Sequence, residues 1–233
     1  MSLLLFDIDG TLLLSGGAGV RAMTRAFHAL FGVPEAFAAS DVAGRTDTFI
    51  LSAALRQAGI PDTPVQHRRV REAYVNFLRE EILKPPRGHS GLMPGIQALL
   101  DALRASDAVH VALLTGNFEQ AAYIKLGRYG IRDFFEWGAF GEEAAAREEL
   151  ARIAMQKAEA RGVPAERRSK TIVIGDTPHD INCARAIGAR CLAVATGHYS
   201  VADLRAAGAD VALADLSDTE AVLKWCDAAG MRI

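Results

Sequence analysis

The fold of this chain is decided near its start by residues 3–11, which read LLLFDIDGT. An uninterrupted apolar run of this length is typical of a strand that is covered by helices on both faces, as in a parallel sheet. The run ends in two carboxylates one residue apart, Asp7 and Asp9. Ligands of such sheets bind beyond the carboxyl ends of the strands. The stretch therefore predicts a buried strand with an acidic site at its end.

The two carboxylates favour a chemical role over a plain turn. Side chains two residues apart lie on the same side of an extended strand. Because neighbouring carboxylates repel each other, such a pair needs a cation or a shared proton. The alternative is a strand end followed by an Asp-Gly turn, which accounts for Asp9 and Gly10 but leaves Asp7 unexplained. The pair can supply a nucleophile, a proton donor and ligands for a hard cation.

Later apolar runs alternate with helical patterns along the rest of the chain. This alternation predicts an α/β fold with a mostly parallel, doubly wound sheet. Further strands are expected at 109–114, 137–140, 171–174, 191–195 and 211–213, and a long helix at 143–161.

Residues 16–90 form a contrasting segment. They carry helical periodicity at 20–31, 47–58 and 64–83 without a convincing strand, between glycine-rich and proline-rich stretches. We expect residues 1–15 and 91–233 to form the core and residues 16–90 to form an inserted, all-helical module.

A second polar cluster follows the strand at 109–114, where Thr115, Gly116 and Asn117 precede a predicted helix. A hydroxyl and exposed backbone N–H groups before a helix make a suitable anion site. The alternative is an ordinary helix cap with a permissive glycine.

A third cluster, residues 175–180, reads GDTPHD after another apolar run. The proline fits the first turn of a helix, and Asp176 and Asp180 then face the same way. Capping explains one acidic residue here better than two. His179 lies between them; it could reach a substrate, but a solvated position at the surface is the expectation.

A phosphate or carboxylate cluster also needs a basic residue, and the helix at 143–161 offers Arg147, Arg152 and Lys157. Most of these must lie on a solvated face. Arg147 is the best placed because it is near the strand-side end, and Lys157 is the second choice.

Composition narrows the function. The 233 residues are 50% hydrophobic and 23% charged, with a formal net charge of −2. This balance provides no basic face for nucleic acid and no polybasic membrane patch. The apolar runs are too short to span a bilayer, and the N-terminus lacks the basic region of a signal peptide. Three cysteines without a CxxC pair indicate reduced thiols and a cytoplasmic location. The oligomeric state is left open.

Together these motifs resemble those of the haloacid dehalogenase-like hydrolase superfamily, especially its phosphoglycolate phosphatase-like branch, over nearly the whole chain. The DxDGT stretch, Thr115, Asp176 and Asp180 follow the order and spread of that superfamily's motifs. The inserted module resembles its helical cap, and residues 92–95 resemble the segment that leads back to the core. The resemblance implies a Rossmann-like core and a Mg²⁺-dependent phosphohydrolase acting on a small phosphorylated metabolite, either phosphoglycolate-like or a sugar phosphate.

The resemblance also implies a role for each motif residue. Asp7 is expected to attack phosphorus and form an aspartyl-phosphate, while Asp9 protonates the leaving alcohol and then activates water. The third-motif basic residue is Arg147 or Lys157, because the chain departs from the usual lysine-proline signature. The implied metal set is Asp7, the Asp9 backbone carbonyl and Asp176 with Asp180 orienting them, and the implied substrate-binding residues are Thr115, Gly116, Asn117 and Arg45.

Arg45 lies in the segment 44–47, GRTD, which resembles a part of the cap that meets the active site in relatives. It is expected to contact an anionic substrate tail. The alternative is that Thr46 or Asp47 simply caps the following helix.

Other activities remain open at this stage. A sugar phosphomutase would use the same residues. Asp9 argues against a dehalogenase, which does not need the second aspartate, and a phosphonate hydrolase would need a cap lysine, for which the module offers only Lys84. A nucleotide-binding Rossmann protein is a distant alternative. Residues 17–22 fit GxGxx(G/A) loosely, but no second strand ending in an acid follows at the required distance.

Overall fold

A computed structural model describes residues 2–34, 36–37, 44–106 and 109–228. The predicted core and module segments include a few residues outside these ranges. The strands are β1 Ser2–Phe6, β2 Leu13–Ser15, β3 Ser90–Leu92, β4 Val109–Leu114, β5 Gly138–Ala139, β6 Ile172–Gly175, β7 Arg190–Val194 and β8 Val211–Leu213. The helices are α1 Ala18–Phe31, α2 Asp47–Gln57, α3 Pro64–Glu81, α4 Ile96–Arg104, α5 Glu119–Arg128, α6 Arg147–Ala160, α7 Ala165–Arg168, α8 Pro178–Ala186, α9 Val201–Ala206 and α10 Thr219–Ala228, with a 3₁₀ turn at Arg132–Phe134.

Six strands form one parallel sheet in the order β5-β4-β1-β6-β7-β8. The predicted doubly wound α/β fold is therefore confirmed. The central strand is β1: β4 and β5 follow it on one side and β6, β7 and β8 on the other. The carboxyl ends of β1, β4 and β6 therefore meet at one edge of the sheet. This is the position at which ligands bind in such folds.

The apolar run at the start of the chain is explained by burial on both faces of β1. Leu4 and Phe6 belong to an apolar cluster with residues of α4, α5 and α10. Leu3 and Leu5 belong to a second cluster with residues of α6, α8 and α9. All four side chains are buried, and burying each contributes about 2 kcal/mol of hydrophobic free energy.

Up to the start of β3, the regular secondary structure in the described part of residues 16–90 is helical, as expected. Helices α1, α2 and α3 share an apolar cluster that includes Phe27, Leu51 and Tyr74. The same cluster contains Phe118 and Ala121, which lie at and just after the start of α5. The inserted helices are thus packed against the core above the carboxyl edge of the sheet.

A two-stranded antiparallel ribbon joins the module to the core and was not anticipated from the sequence. Leu13 pairs with Leu92 and Ser15 with Ser90. Beyond the ribbon, the Arg87 N–H donates to the Gly16 carbonyl at 2.9 Å. Each strand has three residues, too few for a period to be recognised. The predicted boundary between residues 90 and 91 falls inside β3.

The helix expected from residue 143 begins at Arg147 instead. The Glu143 N–H donates to the Phe140 carbonyl at 2.9 Å, and the Glu143 carboxylate accepts from the Phe140 N–H at 3.0 Å. These bonds form a local turn that competes with the helix. The delay places Arg147 in the first turn of α6.

No helix among the described residues is long and apolar enough to cross a membrane. The cytoplasmic location stays a prediction.

Candidate active site

A cavity of about 390 Å³ lies between the carboxyl edge of the sheet and the inserted helices. Its core side is polar and its module side is largely apolar. The residues that line it from the core include Asp7, Asp9, Gly10, Gly116, Asn117, Lys125, Arg147, Asp176, Thr177, Thr196, Gly197 and His198, and those from the module and its linkers include Leu14, Ser15, Val20, Met23, Phe37, Arg45, Asp47, Ile50 and Tyr74.

Arg147 is buried beneath the cavity between two carboxylates. Its Nη2 lies 2.6 Å from Asp180 Oδ1 and 3.4 Å from Asp7 Oδ1. The same nitrogen donates to the Leu114 carbonyl at 3.3 Å, whereas the buried Nε has no hydrogen-bond partner. Burial disfavours the charged form of Arg147, but Asp180 and Asp7 more than offset this and raise its pKa well above the ordinary value. The side chain is therefore a permanent cation at the floor of the site.

The carboxylates outnumber this cation. One oxygen each from Asp7, Asp176 and Asp180 lies within 4.8 Å of the others, and all three residues are buried. Burial raises the pKa of Asp7, with Arg147 partly opposing the shift. Burial and the charge of Asp180 raise the pKa of Asp176. Three carboxylates beside one arginine leave uncompensated negative charge, which a hard divalent cation would neutralise.

The three carboxylates are not equally free to bind a cation. Asp180 Oδ1 accepts from Arg147, and Oδ2 accepts from the Thr177 N–H at 3.1 Å and hydroxyl at 2.7 Å. Asp176 accepts only a 3.3 Å bond from the Thr11 hydroxyl among the described side chains. Asp7 and Asp176, but not Asp180, also line the cavity. The donors present fit Mg²⁺, with Asp180 better placed to orient its neighbours than to coordinate.

The glycine of the DIDGT stretch is required by this geometry. Gly10 has a φ of 85°, and a Cβ at that position would lie 2.4 Å from Asp176 Oδ2. Backbone in this region favours glycine. The tight turn after β1 thus lets Asp176 approach the chain that carries Asp7 and Asp9.

Asp9 also lines the cavity and is held by a network of polar side chains. Lys125 Nζ lies 2.8 Å from Asp9 Oδ1 and 2.6 Å from Oδ2. Asn117 Nδ2 donates to Asp9 Oδ2 at 2.8 Å and to Thr115 Oγ1 at 2.9 Å. Thr115 is fully buried and does not line the cavity itself. It therefore contacts Asp9 only through Asn117.

The start of α2 attaches the module to the core. The Asp47 N–H donates to the Gly116 carbonyl at 2.7 Å, and Asp47 Oδ2 accepts from the Phe118 N–H at 2.9 Å. A Cβ on Gly116 would lie 2.2 Å from the Arg45 carbonyl oxygen. Burial raises the pKa of Asp47 to about 7, although Lys125 opposes the shift. The second polar cluster, Thr115 to Asn117, is thus directly covered by the module.

The residues around Asp47 resolve two alternatives left by the sequence. Thr46 does cap α2, accepting from the Phe49 N–H at 3.1 Å. Arg45 nevertheless lines the cavity, with its guanidinium 4.6 Å from the centre of the Phe49 ring. Capping and exposure to the site therefore occur together in this segment.

Lys157 and Arg152 lie away from the cavity. Lys157 Nζ is 2.6 Å from Glu143 Oε2 and donates to the Gly138 carbonyl at 2.8 Å. Arg152 forms an exposed pair with Glu149. Of the sequence candidates on this helix, only Arg147 meets the carboxylates.

Several cavity residues were missed from the sequence. The exposed side chain of His198 lines the cavity beside Gly197. Lys125 and Tyr74 also line it. Lys125 carried a usable signal, because the buried positions of α5 are Ala121, Ala122, Lys125 and Leu126, and a charge on an otherwise apolar helix face calls for a partner.

The fold and the site together define a hydrolase-type core with a helical cap. Residues 1–188 match the haloacid dehalogenase-like hydrolase family. The chain belongs to this family, which confirms the resemblance drawn from its motifs.

The individual proteins that resemble this chain share only low sequence identity with it. The chain is 26% identical to a phosphoglycolate phosphatase from Chromobacterium violaceum over 163 residues, which cover 70% of this chain and 68% of that protein. It is 28% identical to the pyrimidine 5'-nucleotidase YjjG from Escherichia coli over 113 residues, or 48% of this chain and 45% of that protein. The alignment thus spans less than half the length of YjjG.

A solved structure shares the fold over almost the full length. CbbY from Rhodobacter sphaeroides, in complex with phosphate, superposes with a TM-score of 0.65 at 22% identity and covers 94% of this chain and 96% of that one.

Proposed function

We propose that this protein is a Mg²⁺-dependent phosphohydrolase that acts on a small phosphorylated metabolite through an aspartyl-phosphate intermediate. The observation that carries the proposal is the position of Asp7, which lines the cavity, lies 3.4 Å from Arg147 Nη2 and shares a buried acidic cluster with Asp176. The Arg147 cation, together with a Mg²⁺ that Asp7 and Asp176 would hold, suits attack on a phosphate ester, whose charge must be neutralised in the transition state.

Asp7 acts as the nucleophile in this scheme. One of its oxygens forms a bond to phosphorus while the bond to the leaving oxygen breaks, and the aspartyl-phosphate is then hydrolysed by water. Arg147 is buried with Asp7 and holds its carboxylate in place. Such fixed charge lowers the barrier because no reorganisation is needed during the reaction.

Asp9 acts as the general acid in the first half-reaction and as the general base in the second. It donates a proton to the leaving alcohol as the phosphoryl group transfers to Asp7, and it then accepts a proton from the attacking water. Its side chain is 39% exposed, toward the cavity that it lines. That exposure suits contact with an incoming substrate and then with water.

The phosphate is bound by the second motif and the metal set. The backbone N–H of Gly116, which lines the cavity before α5, is the proposed anion donor, whereas the buried Thr115 hydroxyl accepts from the Asn117 N–H and side chain and supports this segment from below. Asp7, the Asp9 carbonyl and Asp176 are the proposed ligands of Mg²⁺, with Asp180 orienting them. A Mg²⁺ ion bound there would neutralise the charge on the transferring phosphoryl group.

The cavity supports a small substrate. A volume of about 390 Å³ lies at the lower end of the range of ligand pockets. Arg45 provides a cation for an anionic tail. Two distant relatives named as a phosphoglycolate phosphatase and a nucleotidase are consistent with a small phosphomonoester.

The test is hydrolysis of p-nitrophenyl phosphate and a panel of phosphorylated metabolites, including phosphoglycolate and sugar phosphates. We expect release of inorganic phosphate that requires Mg²⁺ and stops with EDTA. Asp7→Asn should abolish turnover and leave the thermal unfolding curve nearly unchanged, whereas Asp101→Asn, on the exposed side of α4, should retain activity. Undiminished hydrolysis by Asp7→Asn would refute the mechanism.

The same assay separates hydrolysis from phosphomutase activity. A hydrolase releases phosphate containing one oxygen from solvent, which ¹⁸O-labelled water reveals. A mutase returns the phosphoryl group to the sugar and produces an isomeric sugar phosphate without free phosphate.

A further inference from the structure

We propose that Lys125 is a positioning residue for Asp9, which fixes the oxygen that delivers the proton to the leaving group. The inference rests on the proposed function, since it concerns the proton step of that reaction. It is carried by the geometry around Lys125, which no motif of the family resemblance includes.

Lys125 uses all of its hydrogen-bonding capacity on this network. Its ammonium group has three donors. Two lie toward Asp9, at 2.8 Å from Oδ1 and 2.6 Å from Oδ2, and the third lies toward Asn117 Oδ1 at 2.6 Å. No donor is left for a phosphate oxygen. Lys125 therefore acts through Asp9 rather than on the substrate.

The contacts distinguish the two oxygens of Asp9. Oδ2 accepts from both Lys125 and Asn117, at 2.6 and 2.8 Å. Oδ1 accepts only from Lys125 among the described residues. Because each carboxylate oxygen has two lone-pair positions, Oδ2 is saturated and Oδ1 keeps one free. The geometry assigns the transferred proton to Oδ1.

Lys125 is itself held firmly. Its side chain is only 6% exposed, on a face of α5 whose other buried members are alanine and leucine. The module covers it, since a Cβ on Gly19 of α1 would lie 3.5 Å from the Tyr74 hydroxyl and 3.6 Å from Lys125 Nζ. Burying an ammonium adds little net stability even when it is paired. The position is better explained by the control of Asp9.

Asp9 transfers one proton in each half-reaction. The carboxyl of Asp9 gives its proton from Oδ1 to the leaving oxygen as the P–O bond breaks and the Asp7–P bond forms. The Asp9 carboxylate then takes a proton from the water that attacks phosphorus, while the bond between Asp7 and phosphorus breaks and Asp7 is released as a carboxylate with inorganic phosphate as the product. In both directions Lys125 and Asn117 prevent rotation of the carboxyl group, so the same oxygen serves as donor and acceptor.

The proposal predicts a dependence on the leaving group. An alkoxide needs a proton as it leaves, whereas p-nitrophenolate leaves without one. In Lys125→Met we expect kcat/KM for an alkyl phosphate to fall on the order of 10²-fold and kcat/KM for p-nitrophenyl phosphate to change little. Across a series of substituted phenyl phosphates, kcat/KM should fall more steeply with the pKa of the leaving phenol in Lys125→Met than in the unaltered protein.

Three further variants make the test specific. Lys125→Arg keeps a cation that can donate to both oxygens of a carboxylate, and it should restore part of the alkyl phosphate activity. Lys224→Met, on an exposed lysine of α10, is the matched control and should match the unaltered protein. In an Asp9→Asn background, adding Lys125→Met should cause no further leaving-group-dependent loss.

The outcomes are distinct. An equal loss across all leaving groups, or no loss, overturns the role of Lys125 while leaving the phosphohydrolase intact. If the unaltered protein hydrolyses no phosphate ester, the proposed function fails. Crystal structures then decide the positioning role alone. An Asp9 side chain that moves away from Asn117 in Lys125→Met supports it, and an unmoved Asp9 overturns it.

Discussion

The buried guanidinium of Arg147 and the buried carboxylate of Asp180 lie 2.6 Å apart, joining the first turn of α6 to the first turn of α8. This pair forms the floor under Asp7. It keeps a cation next to the Asp7 carboxylate, and it fixes Asp180 so that its second oxygen caps α8.

Arg147→Met should therefore remove both activity and stability. Removing one partner of a buried pair leaves an uncompensated charge and costs about 3–5 kcal/mol. We expect a lower free energy of unfolding in urea and loss of phosphatase activity. Arg152→Met, on the same helix but exposed, is the matched control and should change neither. Full activity in Arg147→Met would contradict the assignment of the third motif.

Gly116→Ala should weaken the attachment of the module. The added Cβ would lie 2.2 Å from the Arg45 carbonyl oxygen, so the segment that covers the second motif must move. We expect a lower kcat/KM and faster hydrogen exchange of the Asp47 amide, which donates to the Gly116 carbonyl. Gly127→Ala, where no atom lies within 4 Å of the added Cβ, should leave both unchanged. An unaltered exchange rate in Gly116→Ala would show that the module is not held at this point.

Asp47→Asn should change how stability depends on pH. In the folded protein burial raises the pKa of Asp47 from 3.8 to about 7. An acid whose pKa is raised on folding contributes stability below its ordinary pKa, and this contribution is lost as pH rises through about 7. Asparagine carries no such loss. Relative to the unaltered protein, the variant should thus be more stable at about pH 8 than it is at about pH 4, as measured by a larger free energy of unfolding. Equal differences at the two pH values would contradict the shift.

The affinity for Mg²⁺ should rise with pH. Burial raises the pKa of both Asp7 and Asp176, and a metal binds only their ionised forms. Calorimetry at about pH 6 and about pH 8 should show tighter binding at the higher pH, with protons released on binding at the lower one. Asp176→Asn should weaken binding at both. Binding that is unaffected by this variant would place the metal elsewhere.

The sequence was most informative at strand ends. Asp7, Asp9, Asn117 and Asp176 follow three different strands, and a parallel sheet brings those ends together whatever the details of packing. The fold class and most of the candidate site could be predicted for this reason. Arg147 lies beside Asp7 and Asp180, as its place on the predicted helix suggested, although that helix begins later than expected.

Other parts of the site depend on packing over long sequence distances. Lys125 meets Asp9 across 116 residues, and this contact exists only because of how α5 is rotated against the sheet. Asp47 meets Phe118 only because the module is seated on the core. Periodicity describes which face of a helix is buried but does not identify its partner, so these contacts were not predictable.

The ribbon of β2 and β3 brings the two ends of the inserted module side by side, with Arg87 hydrogen-bonded to Gly16. The module therefore leaves and returns to the core at a single point. A different insert whose ends are equally close could replace it without rerouting any strand of the sheet. The strand ends that carry the acidic residues and the module that lines the other side of the cavity can in this way diverge independently.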